Sequence, residues 1–387
     1  MKKHLGWMIK MLIAALGVAY ILYTLSWSDQ VYLPEGYISE EGLLGGEDGQ
    51  AYWVIEEVED GYYMRLPTVD RSDPDEVAWI DKSEFGPGTD TPEFKPSFIT
   101  ILRQSNATLL ILGSLLFIPI VLLTTLRWWI LMRARGIDAG LGRVGRLTLA
   151  GYFFNLCMPG STGGDVMKAY YTAKATDQRA DAVVSIAIDR LCGLIGLLLI
   201  VALIGLFSLS DPLVRKLTLA MWCLLVGLLA MAWLYTSPAI RQRLKLNARL
   251  GKLPGAKAVR SIDAWITAYR RHLGALATAI GLSLVIQLSL ASAMSLAGFA
   301  LGIEQPLLYL MGMIPIVLLL WALPVSGPLG LGPLDYVAVQ LIVGSSDTSD
   351  QQALMMFVAF RLYLVAAGLI GSLALFGLGR KAEKQKS

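Results

Sequence analysis

Several windows of this chain are predominantly apolar over more than the roughly 18 to 20 residues needed to cross a bilayer, and that feature leaves few options for folding. In lipid, every backbone N–H and C=O must be satisfied inside the protein, so such stretches become helices. The rest of the composition agrees. Of 387 residues, 55% are hydrophobic and 16% charged, with a mean hydropathy of +0.57; soluble domains carry nearer a quarter charged residues. The expected fold class is an all-α polytopic membrane protein.

Two of the apolar stretches are broken. The first, NLCMPGSTGGDVMKAYYTAKATDQRADAVVSIAIDRLCG (Asn155 to Gly193), stops at Pro159-Gly160, crosses Ser161, Thr162, Gly163 and Gly164, and restarts at Asp165. The second, PVSGPLGLGPLD (Pro324 to Asp335), alternates Gly327, Gly330 and Gly332 with Pro328 and Pro333, which a regular helix does not tolerate. Each break is followed by an apolar helix with an embedded arginine, Arg190 in one case and Arg361 in the other. Pieces this short favour hairpins that enter and leave on one side, near 145–175 and 306–343. A kinked continuous helix is the plainer alternative for the first.

Charge supplies the topology. Residues 28–100 hold 18 Asp/Glu against 4 Lys/Arg, a net of −14, while the remainder carries about +17. Charge separated in this way signals sidedness rather than nucleic-acid binding. It divides the chain into a first span (1–27), an acidic extracytoplasmic module (28–100), a membrane domain (101–380) and a basic cytoplasmic tail (381–387). Gln50 to Leu66 alternates around Asp60-Gly61 like a hairpin, and Val77 to Ile80 adds a third strand, so the module is expected to be β. The Pro-rich GPGTDTPEFKP borders it. Trp128 and Trp129 suit the interface; Arg127, Arg133 and Arg135 suit the cytoplasm. The basic segment 237–272 is expected in the cytoplasm beside anionic headgroups. Arg215 and Lys216, in a short loop on the other side, fit the rule poorly.

Counting crossings gives two span–hairpin–span units, 107–207 and 273–378, with one extra span, 217–235, between them. The second unit is therefore inverted relative to the first, a recurrent plan in secondary transporters, whose sites lie at broken helices near the midplane.

The chemistry expected at the breaks is anion binding. GSTGGD lacks the Gly-Lys-Ser/Thr ending of a nucleotide-binding loop. Its small residues still let backbone N–H groups converge at the positive end of a restarted half-helix, which can receive a phosphodiester. Asp165 is placed to cap that helix, with Lys168 one turn on. Arg190 lies about 10 Å into its span and Arg361 about 15 Å. A charge at such depth costs about 2.5–3.5 kcal/mol or more and needs a partner or a wet cavity. Two readings stay open. In one, the arginines bind a lipid phosphate, for which planar guanidinium forks are suited. In the other they are structural, Arg190 with Asp165 or Asp189 and Arg361 with Asp335. Asp335 can cap the second resumed segment.

His4 and His272 flank apolar segments, and Cys157, Cys192 and Cys223 lie within them. Neither set has metal-ligand or catalytic spacing, so no metal and no cofactor is expected.

Taken in order, NLCMPGSTGGD, AIDRLCGL, LPVSGPLGLGPLDY and FRLYLVAAGLIG resemble the flippase-like transmembrane region of bacterial lysylphosphatidylglycerol synthases and its stand-alone relatives, over roughly residues 105–380. The resemblance implies two opposed re-entrant hairpins around a lipid-headgroup cavity in a bacterial inner membrane. It also implies movement of a phospholipid or polyprenyl-phosphate-linked lipid between leaflets. There are two departures. Asp335 stands where the family usually has Glu after the glycines. The soluble aminoacyl-transferase half is missing, since the chain ends at Ser387 in a basic tail, so synthase activity is not expected. Gly160, Ser161, Thr162, Gly163, Gly164, Asp165, Lys168, Asp189 and Arg190 would form one headgroup station; Gly327, Gly330, Gly332, Asp335 and Arg361 would form the other. The alternatives are a membrane-embedded transferase acting on a lipid-linked sugar, and an accessory protein whose acidic module binds an envelope partner.

Overall fold

The computed structural model describes residues 27–33, 50–57, 61–65, 77–85, 92–157, 163–174, 176, 178–207, 212–243, 263, 272–322, 334–344 and 348–384. The expected first span, the two polar breaks themselves and most of the basic segment 237–272 lie outside the described residues.

The acidic module is a five-stranded antiparallel sheet. Its strands are β1 (Gln30–Leu33), β2 (Gln50–Glu57), β3 (Gly61–Arg65), β4 (Val77–Asp81) and β5 (Glu93–Lys95), ordered β4-β3-β2-β1-β5. Alternation puts Val31, Leu33, Tyr52, Tyr62 and Ile80 on one buried face, with Val54, Phe85 and Phe94 packed against them. Two strands were not expected. The Pro-rich border supplies β5, and Gln30–Leu33 becomes the strand between it and β2. The module is tied to the first helix through Asp29. Its carboxylate accepts from the Ser97 backbone N–H at 2.5 Å and from Thr100 Oγ1 at 2.9 Å.

Helices α1 (Phe98–Gln104), α2 (Ala107–Leu115), α3 (Phe117–Ala134), α4 (Leu141–Cys157), α5 (Gly163–Lys174) and α6 (Arg179–Ile204) follow. Then come α7 (Pro212–Thr236), α8 (Pro238–Arg243), α9 (Leu273–Ala300), α10 (Leu307–Ala322), α11 (Leu334–Val343) and α12 (Asp350–Lys384). Among the described residues five helical stretches are long and apolar enough to cross a membrane: Ala107–Ala134, Ala180–Phe207, Val214–Tyr235, Leu273–Ala300 and Asp350–Leu373. The segments expected to form hairpins hold two packed helix pairs, α4 with α5 and α10 with α11. At 1.5 Å per residue, α5 and α11 are about 18 Å and 15 Å long, roughly half the hydrocarbon thickness.

The contacts repeat. Within the first set, α3 packs on α4, α4 on α5, α5 on α6, and α3 on α6. The second set matches it contact for contact: α9 on α10, α10 on α11, α11 on α12, and α9 on α12. Between the sets, α6 packs on α10 as α12 packs on α4, and α3 lies against α9. One core therefore runs through both sets, from Phe117 and Ile120 through Ile200, Met294 and Ile314 to Phe357 and Phe360. α7 stays at the edge, with Trp233, Met231 and Val226 exposed. Beyond it, the Arg241 guanidinium donates to the Asp263 carboxylate at 2.7 and 2.5 Å, and Tyr235 donates to the same carboxylate at 2.7 Å.

Glycines on α12 set the closeness of the α4–α12 seam. A Cβ on Gly371 would overlap the Leu149 carbonyl, and one on Gly368 would overlap the Leu156 side chain. Small residues let helices approach closely where lipid supplies no hydrophobic drive. Gly371→Val should therefore push α4 and α12 apart and cost about 1–3 kcal/mol. Gly281→Ala, where a Cβ meets nothing within 4 Å, should be nearly neutral. Thermal unfolding in detergent checks this, and equal melting temperatures for the two variants would refute it.

Candidate functional site

The first hairpin is closed by its own residues. α5 opens at Gly163, and the Gly164 N–H donates to Asn155 Oδ1 on α4 at 2.7 Å. A helix N-terminus leaves its first N–H groups without intrahelical partners, and here a side chain from the opposite arm supplies one acceptor. Gly164 also sits so close to the Gly151 carbonyl that a Cβ would overlap it. Asp165 is therefore not the N-cap that the sequence suggests. It lies inside the first turn of α5, which leaves its carboxylate to accept from Arg190 Nε on α6 at 2.5 Å.

Arg190 is half-exposed, with 52% of its side chain accessible against 20% for Asp165. Val166 and Tyr170 on α5 and Val183 and Leu191 on α6 are likewise exposed. Lys168, one turn beyond Asp165, holds its Nζ 5.0 Å from the Trp128 ring centroid and its stem against Gly151.

Asp189 has a different partner. Arg127 on α3 grips it with one edge of the guanidinium, Nε to Oδ1 at 2.7 Å and Nη2 to Oδ2 at 3.1 Å. Arg127 Nη1 also donates to Ser283 Oγ on α9 at 2.8 Å. This triad joins three long helices, and both charges are buried. Gly193, one turn on from Asp189, leaves room for the guanidinium. Arg127, Lys168 and Arg190 lie within electrostatic range of Asp165 and Asp189. Tyr152 lies within the field of this cluster. Such a cluster, with one guanidinium reachable, can accept a phosphate through charge-assisted hydrogen bonds.

At the second hairpin, Asp335 lies in the first turn of α11 rather than ahead of it. Its carboxylate pairs with Arg361 on α12 and accepts from Trp321 Nε1 at 3.1 Å. The Arg361 guanidinium lies over the Trp321 ring, 4.4 Å from its centroid. Phe357 meets that ring edge-on at 5.2 Å, and Phe360 lies beside it. The pair is shut in: only 6% of the Arg361 side chain and 1% of the Asp335 side chain are accessible.

The two hairpins thus carry the same device. A carboxylate in the first turn of the second arm binds an arginine on the following long helix, 25 residues on in one case and 26 in the other. Of the residues singled out from the sequence, the structure brings together Gly163, Gly164, Asp165, Lys168, Asp189 and Arg190 around the first hairpin. It joins Asp335 to Arg361 at the second. Gly160, Ser161, Thr162, Gly327, Gly330 and Gly332 lie outside the described residues.

Sequence reasoning missed Arg127, Ser283, Asn155 and Trp321. It assigned Arg127 to the cytoplasm and Trp128 to the interface, but α3 runs on to Ala134. Arg127 is consequently buried, and Trp128 is fully buried with its Nε1 donating to Ser185 Oγ at 3.2 Å. The available signal was length, since the apolar run continues through WWILM after the arginine.

A family model described as Lysylphosphatidylglycerol synthase TM region matches residues 96–371. No curated protein and no solved structure matches the chain.

Burial separates the two first-hairpin arginines experimentally. Arg127→Ala strands Asp189 in the interior and should cost about 3–5 kcal/mol. Replacing both partners by apolar residues, Arg127→Met with Asp189→Leu, should recover most of it. Arg190→Ala removes a half-exposed pair and should cost about 1 kcal/mol or less. Melting temperatures in detergent should fall in that order; Arg190→Ala melting below Arg127→Ala would reverse the assignment.

Proposed function

The chain belongs to the lysylphosphatidylglycerol synthase transmembrane-region family, and from that premise we propose that it is a lipid flippase. Its cargo would be a phospholipid or polyprenyl-phosphate-linked lipid, carried between leaflets of a bacterial inner membrane. The observation that carries this reading is the duplicated carboxylate–arginine pair, accessible at Asp165–Arg190 and sealed at Asp335–Arg361.

The two sets of helices form an inverted repeat, each built as span, re-entrant hairpin and span. The extra span α7 between them reverses the second set, and the matching contacts support the equivalence. In an inverted repeat, one conformation holds the two halves in different states, and the transporter's other conformation exchanges them. One pair is open and its counterpart closed, as this scheme requires. Arg190 then exchanges Asp165 for a lipid phosphate while the acyl chains stay in the bilayer. In the exchanged conformation, Trp321 moves off Arg361 and the second station opens. Residues 28–100 lie outside the cytoplasm, where the acidic module can meet an envelope partner. Both termini and the basic segment 237–272 lie inside, the latter against anionic headgroups.

Leaflet-resolved lipid movement in proteoliposomes tests the reading. Folded Arg190→Ala should lose movement by about tenfold or more, the expected loss of a charge-assisted hydrogen bond at a binding step. Arg361→Lys keeps the buried charge but not the planar fork, and should also slow movement. Unaltered rates in both variants would make the pairs purely structural. Chemical turnover of a lipid-linked sugar by the purified protein would favour a transferase instead.

A further inference from the structure

Lys168 is a base that the ion pairs around the first hairpin leave over. Among the described residues its Nζ has no carboxylate partner and no hydrogen-bond acceptor; it meets the face of the Trp128 ring, 5.0 Å from the centroid. The stem is confined, because a Cβ on Gly151 of α4 would come within 3.0 Å of Lys168 Cε. Both nearby carboxylates are taken. Arg127 grips Asp189 at 2.7 and 3.1 Å, and Asp165, one turn back on the same helix, accepts from Arg190 at 2.5 Å. A ring face attracts an ammonium, yet it supplies none of the acceptors that three N–H donors call for. Lysine can give up its proton inside a protein, whereas arginine keeps its own.

The second hairpin shows that the duplicated device does without this lysine. There Asp335 pairs with Arg361, and the residue three positions after Asp335 is Ala338, fully buried in the apolar core. A group needed only to brace the pair or to grip a phosphate would stand at both stations. An amine at one station adds something that the pair itself lacks.

We propose that Lys168 is a proton carrier, and that the chain moves its lipid together with a proton. This rests on the lipid-transport reading of the same site and names its coupling ion. When a lipid phosphodiester displaces Asp165 from Arg190, the freed carboxylate is one turn from Lys168, a spacing that suits an ion pair. Lys168 Nζ then takes a proton from water on the side where the lipid enters, and the resulting ammonium pairs with Asp165. When the lipid leaves on the other side, Asp165 returns to Arg190 and the ammonium gives its proton to water there. Each cycle carries one lipid and one proton in the same direction, so a monoanionic lipid crosses with no net charge. The other charged and titratable groups in the field of Lys168 are Arg127 on α3, Tyr152 on α4, and Asp189 and Arg190 on α6. Arg127 and Asp189 neutralise each other in both states.

The test uses the full-length protein in phosphatidylcholine vesicles whose outer leaflet is enriched in phosphatidylglycerol, with a trace of it tail-labelled and a pH-sensitive dye inside. Label movement is measured at equal pH and with the outside one unit more acid. The gradient should speed inward movement several-fold, up to about the tenfold ratio of proton activities. The lumen should acidify faster than in vesicles made without phosphatidylglycerol. Lys168→Arg keeps a cation that holds its proton and Lys168→Met keeps none, so in both the ratio of rates with and without the gradient should fall to one. Melting temperatures in detergent show whether each variant is folded; if neither is, lumen acidification by the unaltered protein decides. No movement at equal pH would sink the lipid-transport reading, and the coupling with it. Movement at equal pH that ignores the gradient, or that leaves the lumen no more acid, would overturn the coupling alone. A gradient response retained by folded Lys168→Arg would remove Lys168 as the carrier.

Discussion

A guanidinium inside a bilayer must be answered by a carboxylate or by water, and much of this structure follows from that requirement. Arg127, Arg190 and Arg361 each meet an aspartate on another helix. Arg127 holds α3, α6 and α9 together through Asp189 and Ser283. The other two pairs fasten the second arm of each hairpin to the long helix that follows. The hairpin arms are too short to span, so their position in depth depends on these fastenings and on the helices they pack against.

The three pairs differ in what surrounds them. Buried pairs add little net stability, because desolvation offsets attraction, yet losing one partner is severe. Arg127–Asp189 fits that role, with its guanidinium satisfied on three sides by Asp189 and Ser283. Arg190–Asp165 does not, since half of the arginine side chain is accessible. Arg361–Asp335 matches Arg190–Asp165 in position but not in surroundings, because Trp321 both stacks on the arginine and donates to the aspartate. Under the proposed function, equivalent placement with unequal enclosure is what a switching element would show and a simple brace would not.

Much of this was legible in the sequence. Hydropathy alone located the long helices, because backbone satisfaction in lipid leaves no other structure. Pro159-Gly160 and the glycines and prolines after Pro324 fall between α4 and α5 and between α10 and α11, and the embedded Arg190 and Arg361 demanded partners. What stayed hidden depended on tertiary context. A lone arginine at the end of an apolar run looks the same whether the helix stops or continues, so Arg127 read as interfacial. Asp165 and Asp335 looked like caps by composition. Only the fold shows that Asn155 takes the capping bond at Gly164 and that Asp335 is enclosed by Trp321. Strands as short as Glu93–Lys95 carry too few residues to show alternation, and β5 exists because β1 offers it an edge.

The glycines constrain how such a molecule can move. Along the α4–α12 seam, Gly368 and Gly371 bring backbone against backbone or side chain with no slack. Between α6 and α10, a Cβ on Gly312 would meet the Ile204 Cγ2 methyl at an ordinary 3.6 Å. A close-packed interface moves as a unit rather than deforming. Under the proposed function, α4 and α12 would therefore travel together, carrying Arg361 with the first hairpin's outer arm. Slippage would fall on the α6–α10 side, where side chains can repack. The accessible pair, Asp165–Arg190, is anchored on α6, next to the seam that can yield. The sealed pair has its arginine on α12, the helix that cannot shift alone, so opening it requires Trp321 and α10 to move instead.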